Sequence, residues 1–234
     1  MPICKLCQTD TTLRKSHIYP DHLYRLVKDN NYRYYAYTSL GARKIRQQGL
    51  VEKLFCQDCE QLLANEYENY FADFWLNNEA LPNSISQDEI VISGIDYLKF
   101  KLYHLSILYR TAISSQPTFK HIELGPHQER IRLMLLNQND SDKYHIVPAA
   151  LIKNDRSVVK KVMTFPKWAY LDGHTFYNTI YGGCAWGIKT SNHEMPGLSM
   201  TGLRSDGTMV VNCERYEGYA ELLQTSKCIN QADN

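Results

Sequence analysis

Four cysteines are arranged in two pairs, each with two residues between its members. The first pair is Cys4 and Cys7, and the second is Cys56 and Cys59, with 48 residues between the pairs. Each pair can offer two thiolates to one tetrahedral zinc ion, whose bonds to sulfur are ~2.3 Å long. Four sulfur ligands leave no open coordination position, so the spacing predicts a structural zinc site.

Two other interpretations of these cysteines stay open. Cysteine is a common core residue, and a CxxC pair at a strand-to-helix junction also suits thioredoxin-like redox chemistry. A redox role leaves the first pair unexplained, and no βαβ pattern surrounds the second pair. The remaining cysteines, Cys184, Cys213 and Cys228, are scattered and are expected to be plain core or surface residues.

The elements that must position the cysteine pairs follow from the pattern of apolar residues. Residues 21–28 are predicted as a short helix, and the β-prone stretches 32–38 and 44–55 as a hairpin across a turn at 39–42. After the second pair, apolar residues recur every three or four positions, which predicts an amphipathic helix over residues 58–76. The second pair therefore lies where a strand gives way to a helix, whose N-terminus favours thiolates.

The rest of the chain is predicted to form a second domain, because a proline-containing stretch stops the helix just after residue 80. From residue 144 on, short β-like runs are separated by Asn-Asp, Asp-Gly and Gly-Gly turns, which is typical of an antiparallel sheet. The predicted elements are helices at 96–114, 125–136 and 218–225, and strands at 89–93, 144–152, 158–165, 176–181, 185–189 and 208–212.

A loop with one CxxC pair, then a hairpin, then a CxxC pair that opens a helix is the layout of a treble-clef zinc finger. With the His-Ile-Tyr-Pro run that starts at His17, residues 1–80 resemble the zinc-containing HNH nucleases, which carry a ββα-metal site. The resemblance implies a metal-dependent nuclease that hydrolyses phosphodiester bonds of DNA or RNA, as a defence or toxin effector. The expected fold is α+β: a zinc treble clef over residues 1–80, then a helix-plus-antiparallel-sheet domain of unknown role over residues 81–234.

The resemblance also assigns roles to particular side chains. In that family the histidine before Ile-x-Pro is the general base that takes a proton from the attacking water, and this position is His17 here. One divalent ion, Mg²⁺ or Mn²⁺, stabilises the leaving oxygen. The usual ligand position before the histidine holds Ser16, so Glu60, which follows the second cysteine pair, is expected to help hold the ion, with Glu66 as a further carboxylate.

Each of these residues also has a simpler interpretation. His17 can be a structural hydrogen-bonding group, and Glu60 can be a first-turn acid favoured by the helix dipole. Glu66 and Glu68 can be solvent-facing residues of the helix. The alternative function is therefore a non-catalytic zinc module that binds nucleic acid or a partner protein, and Ser16 favours it.

The composition is that of an ordinary globular protein, with 44% hydrophobic residues, 22% charged residues and a net charge of +1. The first 53 residues hold ten Lys and Arg against four Asp and Glu, which suits a nucleic-acid partner but equally suits pairing with the acidic stretch that follows. No apolar run approaches the ~18 residues of a membrane span. Seven cysteines without a signal-peptide pattern predict a cytoplasmic protein, and such a nuclease would need a regulatory protein partner.

Two further expectations concern residues 81–234. The helix over residues 96–114 carries basic side chains around its apolar stripe, which predicts either a phosphate-contacting face or the solvated side of a core helix. These basic residues are Lys99, Lys101, His104 and Arg110. Trp168 and Trp186 are expected in the β core.

Overall fold

Four helices of more than one turn and three β-sheets make up a mixed α+β fold, as predicted. The computed structural model describes residues 2–37, 43–195, 197–198, 201–219 and 228–229. The helices are α1 (Asp21–Val27), α2 (residues 57–77), α3 (Tyr97–Ile113) and α4 (Pro126–Asn137). Within these residues, no helix combines the length and apolar character that a membrane crossing requires.

A small antiparallel pair, formed by the first and the fourth strands of the chain, precedes α2. The strands of this part are β1 (Lys15–His17), β2 (Tyr34–Tyr37), β3 (Arg43–Arg46) and β4 (Val51–Lys53). The predicted hairpin is correct for β2 and β3, but the stretch 44–55 is not one strand, because β4 pairs with β1 instead. The chain turns away at Gly49, which packs against the Tyr24 ring without room for a Cβ atom. The predicted turn at 39–42 lies outside the described residues.

Helix α2 has wider turns than an ordinary α-helix. The α-helical segments Gln57–Leu62 and Asn69–Phe71 alternate with the π-helical segments Leu63–Glu68 and Ala72–Asn77. Because π-type turns close i→i+5 hydrogen bonds, the average rises from 3.6 towards about four residues per turn. Residues four apart therefore stay on one line. The buried residues of the helix follow this spacing: Cys59, Leu63, Tyr67, Phe71 and Trp75.

A seven-stranded sheet forms most of the rest, with strand order β11-β12-β6-β10-β9-β8 and β5 paired to β12. Its strands are β5 (Glu89–Ile92), β6 (His145–Ile152), β8 (Lys167–Leu171), β9 (His174–Tyr181), β10 (Cys184–Lys189), β11 (Gly202–Leu203) and β12 (Met209–Arg215). Every described pair is antiparallel, as predicted, except β6 with β12. A four-stranded sheet has the order β3-β2-β13-β7, with β7 (Val162–Met163) and β13 (Cys228–Ile229).

Several sequence predictions for this part need correction. Strand β8 was not predicted, and of the predicted strand 158–165 only β7 forms. Of the predicted helix 218–225, only residues 218 and 219 are described, and they belong to the 3-10 turn Tyr216–Tyr219; residues 220–225 lie outside the described residues, so the helix stays a prediction. Trp186 is fully buried as expected, but Trp168 is 60% exposed, because β8 is the edge strand of its sheet.

Helix α3 is buried on nearly all sides, and three of its four basic side chains are buried with it. Lys101, His104 and Arg110 are each at most 2% exposed. They therefore form neither a phosphate-contacting face nor the solvated side of the helix, and both predictions are wrong for these three residues. Lys101 donates to Asp140 (2.6 Å) and to the Tyr97 hydroxyl (2.8 Å). A buried charge is tolerated where such partners satisfy it.

One hydrophobic core runs through both parts of the chain. It contains Leu6, Ile18 and Phe55 from the first eighty residues together with Leu105 and Trp186 from the rest. The division into domains at residue 80 stays a prediction, but the buried side chains on its two sides pack against one another. Residues of α3 thereby reach the elements that carry the cysteines and His17.

Candidate metal centre and the polar cluster beside it

The four paired cysteines, Cys4, Cys7, Cys56 and Cys59, meet in the folded chain. Their sulfur atoms all lie within 4.8 Å of one another, and those of Cys7 and Cys56 are 3.8 Å apart. Four sulfur ligands at ~2.3 Å from a tetrahedral ion are about 3.8 Å from each other. The cluster therefore has the dimensions of a closed four-sulfur metal site, and zinc fits its donor set.

The first cysteine pair is held by a tight backbone turn. The Gln8 N–H donates to the Cys4 carbonyl (2.9 Å), and the Cys4 N–H donates to the Thr9 carbonyl (2.9 Å). Gln8 has a φ of +61°, a left-handed conformation that reverses the chain directly after the pair. The Lys5 N–H donates to the Leu54 carbonyl (2.9 Å), which ties this turn to the chain just before the second pair.

The second pair opens α2 and faces the first. Cys56 caps the helix, Cys59 lies in its first turn, and the Cys56 N–H points at the Cys4 sulfur at 3.3 Å. Burial opposes a thiolate at Cys7, but hydrogen bonds with Thr9 outweigh it and lower the Cys7 pKa to about 6. Burial raises the pKa of the Cys59 thiol. A bound cation would supply the positive charge that favours the deprotonated form of all four sulfurs.

Ser16 and Glu60 are brought together by the same two elements. The fully buried Ser16 hydroxyl on β1 donates a hydrogen bond to Glu60 Oε1 in the first turn of α2. Neighbouring residues of a strand point to opposite sides. The His17 side chain therefore leaves β1 on the side away from Glu60, and it is half-buried.

An ion pair between helices holds the backbone of His17. The Arg110 guanidinium, 2% exposed, donates to Glu68 on α2 and, at 3.4 Å, to the His17 carbonyl. Glu68 lies eight residues after Glu60, which is two turns at about four residues per turn, so both carboxylates face β1. The wide turns of α2 thus align two acids that an ordinary α-helix would separate.

Glu66 does not join this group. Its carboxylate pairs with Lys99 on α3 at 3.1 Å, and both side chains are well exposed. Of the two predicted carboxylates, the structure brings only Glu60 to the strand that carries His17. Among the residues that the structure describes, the four cysteines form the only cluster of three or more metal-ligating side chains.

Asp21, Glu68 and Arg110 are residues near His17 that the sequence did not single out for this site. The pKa of Asp21 at the start of α1 is lowered: burial opposes its charge, but Arg25 outweighs burial, and His17 adds a smaller attraction. The only available signal was position, since Asp21 follows His17 by four residues.

Comparison with known proteins gives no match: no protein-family model, no curated protein and no solved structure is significantly similar to this chain. The geometry of its own residues therefore carries the functional argument.

Beside this site, His22 is a half-buried histidine on α1. Its Nε2 lies 2.8 Å from the Tyr103 hydroxyl, and its ring stacks on those of Phe71 and Tyr103. Removal from water lowers the pKa of His22 to about 4, with Glu68 opposing and Arg110 adding to the shift. The unfolded chain takes up a proton at this imidazole near pH ~6.5. The folded chain does so only near pH 4.

We therefore expect the free energy of unfolding to fall as the pH drops from ~6.5 towards 4, because the unfolded state binds more protons in this window. His22 alone contributes about 2 kcal/mol of loss by pH 5. The variant His22→Gln, which keeps a polar partner for Tyr103, should show a flatter pH dependence in urea unfolding. His193→Gln, at an exposed position, is the control. Equal slopes for wild type and His22→Gln would contradict the assignment.

Proposed function

We propose that residues 1–80 form a zinc-stabilised treble clef with HNH-type nuclease activity on nucleic-acid phosphodiester bonds. The observation that carries the proposal is the position of His17. It ends the first strand of an antiparallel pair, and the second strand leads directly into the helix that carries Cys56 and Cys59. The metal site beside it is closed by four sulfurs and is proposed to be structural.

In this mechanism His17 accepts a proton from a water molecule whose oxygen attacks the phosphorus. A bond from the water oxygen to phosphorus forms, and the bond from phosphorus to the leaving sugar oxygen breaks. Arg110 holds the His17 carbonyl so that the strand end stays in place. General-base catalysis of this kind contributes typically ~10²–10⁴-fold in rate.

The proposal includes a catalytic divalent ion, but Glu60 does not hold it beside His17, because Glu60 accepts from the buried Ser16 hydroxyl on the side of β1 away from the His17 side chain. Mg²⁺ commonly keeps several waters and needs only one or two carboxylates in addition to the phosphates of its substrate. Oxygen donors of this kind suit Mg²⁺ or Mn²⁺. When bound, the ion would neutralise charge that develops on the phosphate oxygens.

Nucleic acid is the partner that the charge of this part supports. On β3, Lys44 and Arg46 are exposed, and Tyr32 at the start of the hairpin is 77% exposed. Lysine and arginine neutralise phosphates, and exposed aromatic rings can stack on bases. A cytoplasmic setting and a regulatory protein partner belong to the same proposal, since an unrestrained nuclease is toxic to its own cell.

The test is cleavage of supercoiled plasmid and of RNA by the purified protein with Mg²⁺ or Mn²⁺. His17→Ala should lower the rate at least ~10²-fold while zinc content and thermal stability stay at wild-type values. His193→Ala, an exposed histidine elsewhere, is the matched control and should cleave as the wild type does. Equal cleavage by wild type and His17→Ala would exclude His17 as the base.

A non-catalytic zinc module that binds nucleic acid is the second candidate. The observation in its favour is the Ser16–Glu60 hydrogen bond, which satisfies both groups without an ion. In that case neither wild type nor His17→Ala cleaves, and both bind nucleic acid equally. Binding that weakens with salt, together with no cleavage of either substrate, would favour this candidate over the nuclease.

A further inference from the structure

Strand β8 exposes large apolar side chains at the edge of the seven-stranded sheet. Trp168, Tyr170 and Leu171 are 60%, 69% and 55% exposed. Trp168 and Tyr170 lie two residues apart and therefore on the same face of the strand. Single exposed apolar residues are common on protein surfaces, but two large aromatic side chains next to each other on one face form a patch of the kind that marks an interaction surface. Leu171 lies on the opposite face.

The outer edge of β8 also has open backbone groups. Among the described residues, β8 pairs only with β9, through a two-residue turn in which Asp172 and Gly173 have φ of +48° and +81°. Natural edge strands are commonly protected by a proline, a bulge or charges along the strand. The middle of β8 carries Trp-Ala-Tyr, and its charges stand only at the ends, at Lys167 and Asp172.

The sequence of β8 is self-complementary. When two copies of the strand run antiparallel and are centred on Ala169, Trp168 of each copy lies opposite Tyr170 of the other. Directly opposite residues share a face, and aromatic cross-strand pairs of this kind stabilise a sheet. The same register places Lys167 of each copy opposite Leu171 of the other.

We propose that β8 is a dimerisation strand whose occupant is a second copy of this chain. The two seven-stranded sheets then join edge to edge around a two-fold axis at Ala169, with two Trp168–Tyr170 pairs on one face. Such an interface is isologous, since the same surface serves both subunits. The interface covers the exposed edge of β8. The dimerisation proposal does not depend on the proposed nuclease activity.

A cysteine placed at the two-fold axis tests the register. In the proposed pairing the two Ala169 Cα atoms are about 4.5–5.5 Å apart, within the ~4.4–6.8 Å range of a disulfide. Ala169→Cys should therefore form a covalent dimer under mild oxidation, located by mass spectrometry. Lys167→Cys is the matched control. In the same register the two introduced cysteines are four residues apart along the strands, or about 13 Å, and should not cross-link. Equal cross-linking by both variants would overturn the register.

The mass in solution tests the surface itself. Light scattering of the wild-type chain of 234 residues should give twice the chain mass of 27.2 kDa. The double variant Trp168→Lys/Tyr170→Lys should elute at the single-chain mass, because four lysines would meet at the interface. Tyr32→Lys changes an equally exposed aromatic residue elsewhere and should stay dimeric. A monomeric wild type, or a dimer that survives the double variant, would overturn the proposal.

Discussion

Replacing Cys59 with serine is expected to abolish metal binding and to unfold the region around Cys4, Cys7 and Cys56. Structural zinc contributes on the order of 10–16 kcal/mol of apparent binding free energy at pH 7. This equals or exceeds the ~5–15 kcal/mol by which a typical protein is stable. Because Cys59 also lies on the buried line of α2, the loss should spread into the shared core. Metal analysis and circular dichroism measure the two effects.

Cys213→Ser is the matched control for this experiment. Cys213 is a half-buried cysteine outside the cluster, so the variant should keep one zinc ion per chain and unfold at a temperature close to that of the wild type. A strong chelator added to the wild type should reproduce the effect of Cys59→Ser. A Cys59→Ser protein that retains zinc and wild-type stability would show that the cluster is not the metal centre.

Replacing Glu68 with glutamine is expected to destabilise the chain by about 3–5 kcal/mol, the usual effect of removing one partner of a buried ion pair. The change leaves the Arg110 guanidinium, 2% exposed, without its counter-charge. Arg110→Met should be milder, because the side chain of Glu68 is 20% exposed and can reach water. The double variant should recover part of the loss, since no unpaired charge remains. Urea unfolding of the zinc-loaded proteins at pH 7 measures these differences.

Glu66→Gln is the control, two residues away on the same helix. Its partner Lys99 and its own side chain are 40% and 37% exposed, so the variant should change stability by no more than ~1 kcal/mol. If Glu68→Gln and Glu66→Gln had equal effects, the Arg110 pair would have no special structural role. If Glu68→Gln also lowered cleavage more than Glu66→Gln at equal folded fraction, the link from Arg110 to His17 would be supported.

The spacing of residues along the chain was sufficient to predict those features that depend only on neighbouring residues. Two CxxC pairs predict one four-sulfur site wherever the chain brings them together, because each pair already places two ligands side by side. The helix after Cys56 was also predictable, since its apolar residues repeat every three or four positions. The mixed α+β class followed in the same way from long periodic helices and short β-like runs between turns.

Tertiary structure decided which polar residues meet. The resemblance left Glu66 as a further carboxylate, although six residues place it about 120° from Glu60 around an ordinary α-helix. The wider turns of α2 instead align Glu68 with Glu60, and the hydrogen bonds that define such turns depend on packing rather than on residue type. Likewise, β4 pairs with β1 and not with β2, a choice between strands that neither strand's own residues encode.

Burial was the other property that local patterns did not reveal. Arg110, His104 and Lys101 look like the polar side of an amphipathic helix, yet α3 is enclosed on all sides and each of them finds a partner inside the protein. Trp168 looks like a core residue, yet it lies on an edge strand. The sequence by itself determined the two cysteine pairs that could hold a metal ion and the main helices, because these depend on neighbours along the chain. Only the tertiary structure decided which charges are buried and which aromatic residues are exposed, because burial depends on segments that are distant in sequence.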